Sequence, residues 1–291
     1  MKKPTDPLAK FKTPLRYPGG KSRACKKMDP YFPDLRDYKE FREPFIGGGS
    51  VGIYITKKYP NLQIWVNDLY EPLVNFWQQL QMFGYDLKSE LVDLKKAHDT
   101  PDLAKELFLR SINEIEEDTA SNFNRAVSFY IVNKCSFSGL THSSSYSPQA
   151  SISNFSLSNI YKLPTFSDII KNWKITNYSY DYVLTERCSN EVFVYLDPPY
   201  DIKDNLYGNK GSMHKEFDHD KFAIDCDSCN MHQMISYNSD QLVKDRFTDS
   251  KWRASEFDLT YTMRSVGDYM RDQKTRKELL LMNYESGSQV V

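Results

Sequence analysis

The chain has 291 residues, with 38 Lys and Arg residues against 39 Asp and Glu residues, and its net charge of −1 excludes a protein that is polybasic throughout. Its 40% hydrophobic content supports a sizeable core, and 26% charged residues argues against general disorder. The sequence contains no run of 18 apolar residues and no apolar signal core behind Met1–Asp6, so it predicts neither a membrane segment nor export. Five cysteines without framework spacing favour a reducing compartment, and we expect a cytoplasmic protein.

The first 27 residues are strongly basic. They contain nine Lys and Arg residues and a single acid, Asp6. Two interpretations remain open at this stage: a solvated arm, or a segment that contacts phosphate groups.

A strand–turn–helix pattern comes next in the chain. Phe41–Phe45 predicts a strand, and Ile46–Ser50, with three consecutive glycines, predicts a tight turn that allows close backbone approach before a helix starting at Val51. Leu62–Val66 predicts the second strand. Asp68 follows it about 20 residues after the glycine turn, the spacing at which a Rossmann-type acid meets a ribose hydroxyl.

The middle of the chain changes in pattern and composition. Apolar residues recur at helical spacing from Pro72 to Asp118 and again from Asn122 to Lys134. From Thr119 to Ser167 the sequence contains no Asp or Glu but 13 serines. Either this segment faces a polyanion, or it is a flexible Ser-rich connector.

Strand patterns return in the last third of the chain. They fall at Trp173–Thr176, Glu191–Leu196, Met234–Tyr237 and Glu278–Asn283. Strands that alternate with helices predict an α/β sheet, and the helical region over residues 76–170 reads as an insertion into it.

The most specific motif is Asp197-Pro198-Pro199-Tyr200, which directly follows a nearly continuous apolar strand. The prolines fix the backbone and remove N–H donors, so the motif offers a carboxylate acceptor, a carbonyl acceptor and an aromatic ring. Ligands of open α/β sheets bind at this carboxyl edge. The combination suits a flat group that bears an NH₂, although a Pro-Pro turn with a purely structural role is the alternative.

Five landmarks then occur in the order of one known family. Residues 15–21 (Leu-Arg-Tyr-Pro-Gly-Gly-Lys), residues 43–50 (Glu-Pro-Phe-Ile-Gly-Gly-Gly-Ser), Asp68, the tetrapeptide 197–200 and the late strands resemble the Dam-like, DPPY-type (alpha-group) DNA adenine-N6 methyltransferases. The landmarks run from residue 15 to residue 284, nearly the whole chain.

The resemblance implies a fold, an activity and partners. The expected fold is α/β, a Rossmann-like class I S-adenosylmethionine-dependent methyltransferase core over residues 1–75 and 171–291, with an inserted, mainly helical target-recognition domain over residues 76–170. The expected reaction is transfer of a methyl group from S-adenosyl-L-methionine to N6 of an adenine flipped out of double-stranded DNA, leaving S-adenosyl-L-homocysteine. The enzyme is expected to come from a prokaryote or a virus and to be a monomer or a weak dimer. It could act alone or together with a restriction enzyme, and no membrane partner is expected.

The same resemblance assigns residues to this chemistry. Hydrogen bonds to the target amine and stacking on the base imply catalytic roles for Asp197, Pro198, Pro199 and Tyr200. The cofactor is expected to contact Tyr17, Lys21, Phe45, Gly47, Gly49, Ser50, Asp68 and Asp197. Candidates for DNA contact, chosen because Arg and Lys pair with guanine and hydroxyls adapt to either base edge, are Arg125, Lys134, His142, Ser143, Ser144 and Ser145.

Several alternatives stay open or are set aside. Residues 141–145 depart from the Arg-Tyr-Asn pattern of members that recognise GATC, so no GATC target is predicted. Cytosine-N4 or another amino group could replace adenine as acceptor, and a catalytically silent DNA-binding protein is a further alternative. Cys226 and Cys229 with His219 and His232 resemble zinc spacing, but no metal site is predicted.

Overall fold

The computed structural model describes residues 13–17, 19–117, 119–137, 139, 145–200, 217–259 and 276–285. Its centre is a seven-stranded sheet with the order β3-β2-β1-β4-β5-β7-β6. The strands are β1 (Glu40–Glu43), β2 (Gln63–Asn67), β3 (Lys174–Thr176), β4 (Val192–Leu196), β5 (His232–Asn238), β6 (Arg253–Leu259) and β7 (Arg276–Met282). The predicted α/β fold is therefore confirmed.

The direction of the strands decides which residues meet at one edge. β1 to β5 are parallel to one another, whereas β7 runs antiparallel to both β5 and β6. The glycine turn, Asp68 and Asp197 follow the carboxyl ends of parallel strands, so they share one edge. Because β7 is reversed, its beginning arrives at that same edge, where Glu278 lies opposite Asn238.

Helices cover the sheet and form the insertion. Their bounds are Cys25–Met28 (α1), Ser50–Lys58 (α2), Glu71–Ala97 (α3), Pro101–Ile115 (α4), Asn122–Cys135 (α5), Pro148–Ser153 (α6), Leu157–Ile160 (α7), Leu163–Ile170 (α8), Tyr180–Thr185 (α9), His219–Ser228 (α10) and Gln241–Arg246 (α11). The helical pattern predicted over residues 72–118 corresponds to α3 and α4, which are separated at Thr100, the N-cap of α4.

The helical insertion and the sheet share one apolar core. Phe76 of α3 stacks on Phe129 of α5 with ring centroids 5.6 Å apart, and Trp77 contacts Trp173 at 5.9 Å. The same apolar cluster reaches Phe193 of β4. The division into two domains at residues 75 and 76 remains a proposal. This boundary falls inside α3, whose buried residues lie on both sides of it.

The serine-rich segment is largely folded into helices. Ser121 accepts a hydrogen bond from the backbone N–H of Asn124 and caps α5, and Ser147 accepts one from Ala150 and caps α6. Ser151 and Ser167 are buried. Some of these serines therefore cap helices or pack in the interior, and do not belong to a solvated connector.

None of the helices within the described ranges is long and apolar enough to cross a lipid bilayer.

Candidate active site

The carboxyl edge of the sheet collects charged and polar side chains from widely separated parts of the chain. Lys21 comes from the segment before β1, the glycine turn follows β1, and Asp68 follows β2. Asp197 follows β4, and Glu278 enters from β7. This edge combines two carboxylates at strand ends with a turn that lets the backbone approach a ligand, which is how open α/β sheets build their ligand sites.

Two aromatic rings, those of Tyr17 and Trp77, pack closely against the glycine turn. Gly47 has φ +46° and Gly49 has φ +68°, the left-handed region that favours glycine. A Cβ on Gly47 would lie 2.9 Å from the ring of Tyr17, and one on Gly49 would lie 2.6 Å from the ring of Trp77. The indole N–H of Trp77 donates to the carbonyl of Gly47 at 3.1 Å. Both conformation and space therefore require glycine in this turn.

Asp68 links the turn to the following helix. Its carboxylate accepts hydrogen bonds from the backbone N–H of Gly47 and of Tyr70, both at 3.1 Å. Burial raises the pKa of Asp68 to about 6, and these backbone donors oppose that rise. A carboxylate has about four acceptor positions, and the backbone N–H of Leu69 also acts on this one, so Asp68 keeps capacity for about one further donor, such as a ribose hydroxyl.

The start of helix α2 lies beneath the turn. The carboxylate of Glu43 accepts from the backbone N–H of Gly52 at 2.8 Å, and burial raises the pKa of Glu43 well above its usual range. Ser50 is buried, and its hydroxyl lies 3.0 Å from that of Ser22. These contacts fix the helix start against the segment that carries Lys21.

Asp197 and Lys21 form the charged centre of the edge. The Lys21 ammonium lies 2.8 Å from Asp197, and the Lys21 side chain is buried whereas that of Asp197 is 21% exposed. Burial raises the pKa of Asp197 to about 6, the positive charge of Lys21 opposes this rise, and the charge of Glu278 adds to it. Asp197 is thus a carboxylate with access to a ligand and a pKa near neutrality, as expected at a functional site.

The ring of Tyr200 lies beside this ion pair. Its hydroxyl donates to Glu278 at 2.5 Å, and the Lys21 ammonium lies 4.8 Å from the ring centroid. The ring also contacts that of Tyr237 at 6.1 Å. An anchored hydroxyl restricts the ring, which suits it to stack on a flat ligand.

Phe45 belongs to an aromatic cluster that adjoins the glycine turn. Its ring stacks on Tyr180 with centroids 5.5 Å apart and meets the rings of Phe217 and Phe222 edge-on. Phe45 therefore contributes an apolar wall, and Tyr200 packs against the same apolar cluster.

The described candidates for DNA contact, Arg125, Lys134 and Ser145, have three different surroundings. Arg125 makes a bidentate ion pair with Glu71 and also donates to the carbonyl of Ile115. Lys134 is buried, with its ammonium 5.2 Å from the ring of Tyr130. Ser145 is exposed, beside the bridge between Ser136 and Tyr146. His142, Ser143 and Ser144 lie outside the described residues. Roles for these side chains in reading bases remain predictions.

Sequence reasoning missed two members of the charged centre. Glu278 was identified only as the start of a core strand, and Ser236 only as part of another, yet the Ser236 hydroxyl donates to the buried carboxylate of Glu278. The available signal was a polar residue within an apolar strand pattern. Such a residue must find partners when it is buried.

The cysteine pair 226/229 has a packing role in this structure. Both side chains are buried, and the side-chain amide of Gln233 donates to their backbone carbonyls. Within the described ranges, no three His, Cys, Asp or Glu side chains come together as a possible metal site.

The strand order, with its single reversed strand β7, and the site at the carboxyl edge define a Rossmann-like methyltransferase. A family model of D12 class N6 adenine-specific DNA methyltransferases matches residues 17–263. The chain belongs to this family, and its activity is site-specific adenine-N6 DNA methylation.

Curated relatives agree with this assignment. The type II methyltransferase M.MjaIII of Methanocaldococcus jannaschii is 25% identical over 197 residues, covering 64% of this chain and 68% of that protein. The type II methyltransferase M.CviBI of Paramecium bursaria Chlorella virus NC1A is 26% identical over 204 residues, 67% and 71% of the two chains. The type II methyltransferase M1.LlaDCHI of Lactococcus lactis subsp. cremoris is 25% identical over 248 residues, 80% and 84%.

Proposed function

We propose that the chain uses S-adenosyl-L-methionine as methyl donor and that the charged centre at the carboxyl edge methylates N6 of an adenine flipped out of double-stranded DNA. The observation that carries this proposal is the partly exposed Asp197 beside the Lys21 ammonium, next to the glycine turn and the ring of Tyr200. The expected product of the cofactor is S-adenosyl-L-homocysteine.

The residues present fit such a cofactor. Asp68 has acceptor capacity left for a ribose hydroxyl, and the turn at Gly47 and Gly49 lets the backbone approach the methionine part, with Ser50 beneath it. Tyr17 packs against the turn, and Phe45 supplies an apolar wall. The carboxylates of Asp68 and Asp197 complement the positive charge of the donor.

When bound, the cofactor supplies an electrophilic methyl group. The protein's part is to prepare the amine. The exocyclic nitrogen of adenine is conjugated into the ring, which makes it a poor nucleophile. The carboxylate of Asp197 and the backbone carbonyl of Pro198 accept hydrogen bonds from the amine and so direct its lone pair toward the methyl group. Pro199 fixes the loop, and Tyr200 stacks on the base.

DNA is proposed to lie between the core (residues 1–75 and 171–291) and the helical insertion (residues 76–170). The target amine lies within the base stack of a duplex, so the nucleotide must be extruded before it reaches Asp197. The basic N-terminal segment and Arg125 are candidates for phosphate contact.

The test is transfer of labelled methyl from S-adenosylmethionine to unmethylated genomic DNA, followed by mass analysis of the nucleosides. N6-methyladenine in the wild type and none with D197A is the expected result. N4-methylcytosine would move the proposal to the alternative acceptor, and full activity of D197A would refute the role of Asp197.

A further inference from the structure

Glu278 is a buried carboxylate beneath the proposed catalytic loop, and its side chain is 1% exposed. It lies near the start of β7, the reversed strand, opposite Asn238. A buried ionised carboxylate is costly unless several donors surround it. The strand position alone therefore does not explain this residue.

The donors around Glu278 are members of the site itself. The Tyr200 hydroxyl donates to it at 2.5 Å, and the Lys21 ammonium lies 3.2 Å away. The Ser236 hydroxyl of β5 is a third donor. Glu278 thus links the Tyr200 hydroxyl, the Lys21 ammonium and strand β5 in one hydrogen-bonded network.

One ammonium in this network serves two carboxylates. Lys21 lies 2.8 Å from Asp197 and 3.2 Å from Glu278. Asp197 is 21% exposed and Glu278 is 1% exposed, so only Asp197 is open to a ligand. Without Glu278, Lys21, which also donates to the Tyr200 hydroxyl, would act more strongly on Asp197 and compete with the target amine for its oxygens.

We propose that Glu278 is a positioning residue for adenine methylation: it divides the charge of Lys21 between two carboxylates and anchors the Tyr200 hydroxyl, so that Asp197 and the Tyr200 ring are held ready for the base. This inference rests on the proposed roles of Asp197 and Tyr200. It adds a buried residue that would act through Asp197 and Tyr200.

The charge of Glu278 gives the proposal a readout that a purely structural residue would not affect. Glu278 contributes to the raised pKa of Asp197, and Lys21 opposes it. Removing the charge at residue 278 therefore lowers the pKa of Asp197, and the acid limb of kcat/KM moves to lower pH. Among the described residues, the other titratable groups that interact with Asp197 are Tyr200, which hydrogen-bonds to it, and Glu43, Cys25 and Tyr195.

The experiment compares E278Q, E278D and S236A with the wild type in pH profiles of DNA methylation. Glutamine keeps the shape and an acceptor oxygen but removes the charge. We expect E278Q to lower kcat about 10- to 100-fold and to move the acid limb down by about half a pH unit or more. S236A removes one hydrogen-bond donor to Glu278 without changing any charge. The acid limb of its pH profile should therefore stay at the wild-type pH.

The outcomes separate this proposal from the proposed function. An E278Q enzyme with wild-type kcat, or one whose kcat falls with no movement of the limb, overturns the role of Glu278. Should E278Q fail to fold, E278D keeps the charge but is too short to reach both Tyr200 and Lys21. In that case kcat of E278D must be lower than that of the wild type, while the acid limb of its pH profile stays at the wild-type pH. A wild-type kcat in E278D overturns the proposal. Failure of the proposed function appears instead as activity in D197A.

Discussion

Arg16 and Asn133 exchange hydrogen bonds across 117 positions of sequence. The backbone N–H of Arg16 donates to the Asn133 side chain at 2.9 Å, and the Asn133 amide donates to the Arg16 carbonyl at 2.7 Å and to the Gly139 carbonyl at 2.8 Å. The Arg16 guanidinium also donates to the carbonyl of Ser136. The segment that precedes Tyr17 is thereby tied to the loop after α5.

Asn133→Ala should weaken both the fold and cofactor binding. The substitution leaves part-buried backbone groups of Arg16 and the buried carbonyl of Gly139 without their partner, and we expect a loss of about 2 to 4 kcal/mol in the free energy of unfolding. Because Tyr17 follows Arg16 directly, the dissociation constant for S-adenosylmethionine should also rise in calorimetry. N124A, at an exposed position of the same helix, should change neither quantity. Unchanged cofactor affinity in a folded N133A protein would contradict the coupling.

Gly49→Ala should be strongly destabilising because the turn has no room for a side chain. The new Cβ would lie 2.6 Å from the Trp77 ring in a left-handed conformation, and we expect a loss of about 2 to 4 kcal/mol. Denaturant unfolding of G49A, W77L and the double variant forms a cycle. The penalty of G49A should be smaller in the W77L background, where only the backbone strain remains. Equal penalties in both backgrounds would show that the contact with Trp77 is not the cause.

Asp197→Asn should stabilise the protein at alkaline pH while abolishing activity. The folded-state pKa of about 6 is above the unfolded value, so the native carboxyl holds its proton more tightly and stability is lost as pH rises through 6. D197N removes this loss, with a gain on the order of 2 kcal/mol at pH 8 and less at pH 5.

Glu256 provides a control of opposite sign for this measurement. Lys244 and Ser239 hold the pKa of Glu256 at about 2. Its contribution to the free energy of unfolding is therefore complete above the unfolded-state pKa of about 4, and is lost only as the pH falls toward 2. The effect of E256Q should therefore be constant between pH 5 and pH 8. A D197N effect that is equally constant would contradict the raised pKa of Asp197.

Tyr200→Phe and Tyr200→Ala should separate the two roles of this side chain. Phenylalanine keeps the stacking ring but removes the hydroxyl that bonds Glu278, so kcat should fall while affinity for DNA with an extrahelical target base is retained. Alanine should in addition cost about 1 to 3 kcal/mol of binding. Y237F removes a hydroxyl from the neighbouring ring, which bonds His219, and serves as the control. Equal DNA affinity in the Phe and Ala variants would reject stacking.

Arg125 can be tested as a DNA contact through its internal partner. Glu71 holds the guanidinium in a bidentate pair, so E71Q should release it and strengthen DNA binding. R125A should weaken binding and lower the slope of log affinity against log salt by about 1. R36A is the matched control, because Arg36 pairs with Asp34 before β1, at the opposite edge of the sheet. An unchanged slope in R125A would remove Arg125 from the interface.

The sequence patterns predicted most of the sheet. The strands β1, β2, β4, β5 and β7 each lie within about two residues of their predictions, and all of them except β1 (Glu40–Glu43) contain an apolar run. β6 was missed because this edge strand, Arg253–Leu259, alternates polar residues with few apolar ones. The short helices α9 and α11 contain six residues each, too few for a helical period to be visible.

The site was less accessible to sequence reasoning than the fold. Motifs identified Lys21, Asp68 and Asp197 separately, but the contact between Lys21 and Asp197 depends on how the segment before β1 folds over the sheet edge. Glu278 required knowledge of the direction of β7. Arg125 was chosen for its charge, and its pairing with Glu71 depends on helix packing that no local pattern records.

The position of β7 also has a consequence for biosynthesis. β7 is the last described strand in chain order, yet it lies between β5 and β6 and carries Glu278. In a nascent polypeptide that has emerged only as far as β6, β5 can pair with β4 alone and β6 has no neighbouring strand, while Lys21 lacks one of its two carboxylate partners. Because Glu278 is proposed to position Asp197 and Tyr200, newly made enzyme would reach full DNA methylation activity only after β7 has left the ribosome.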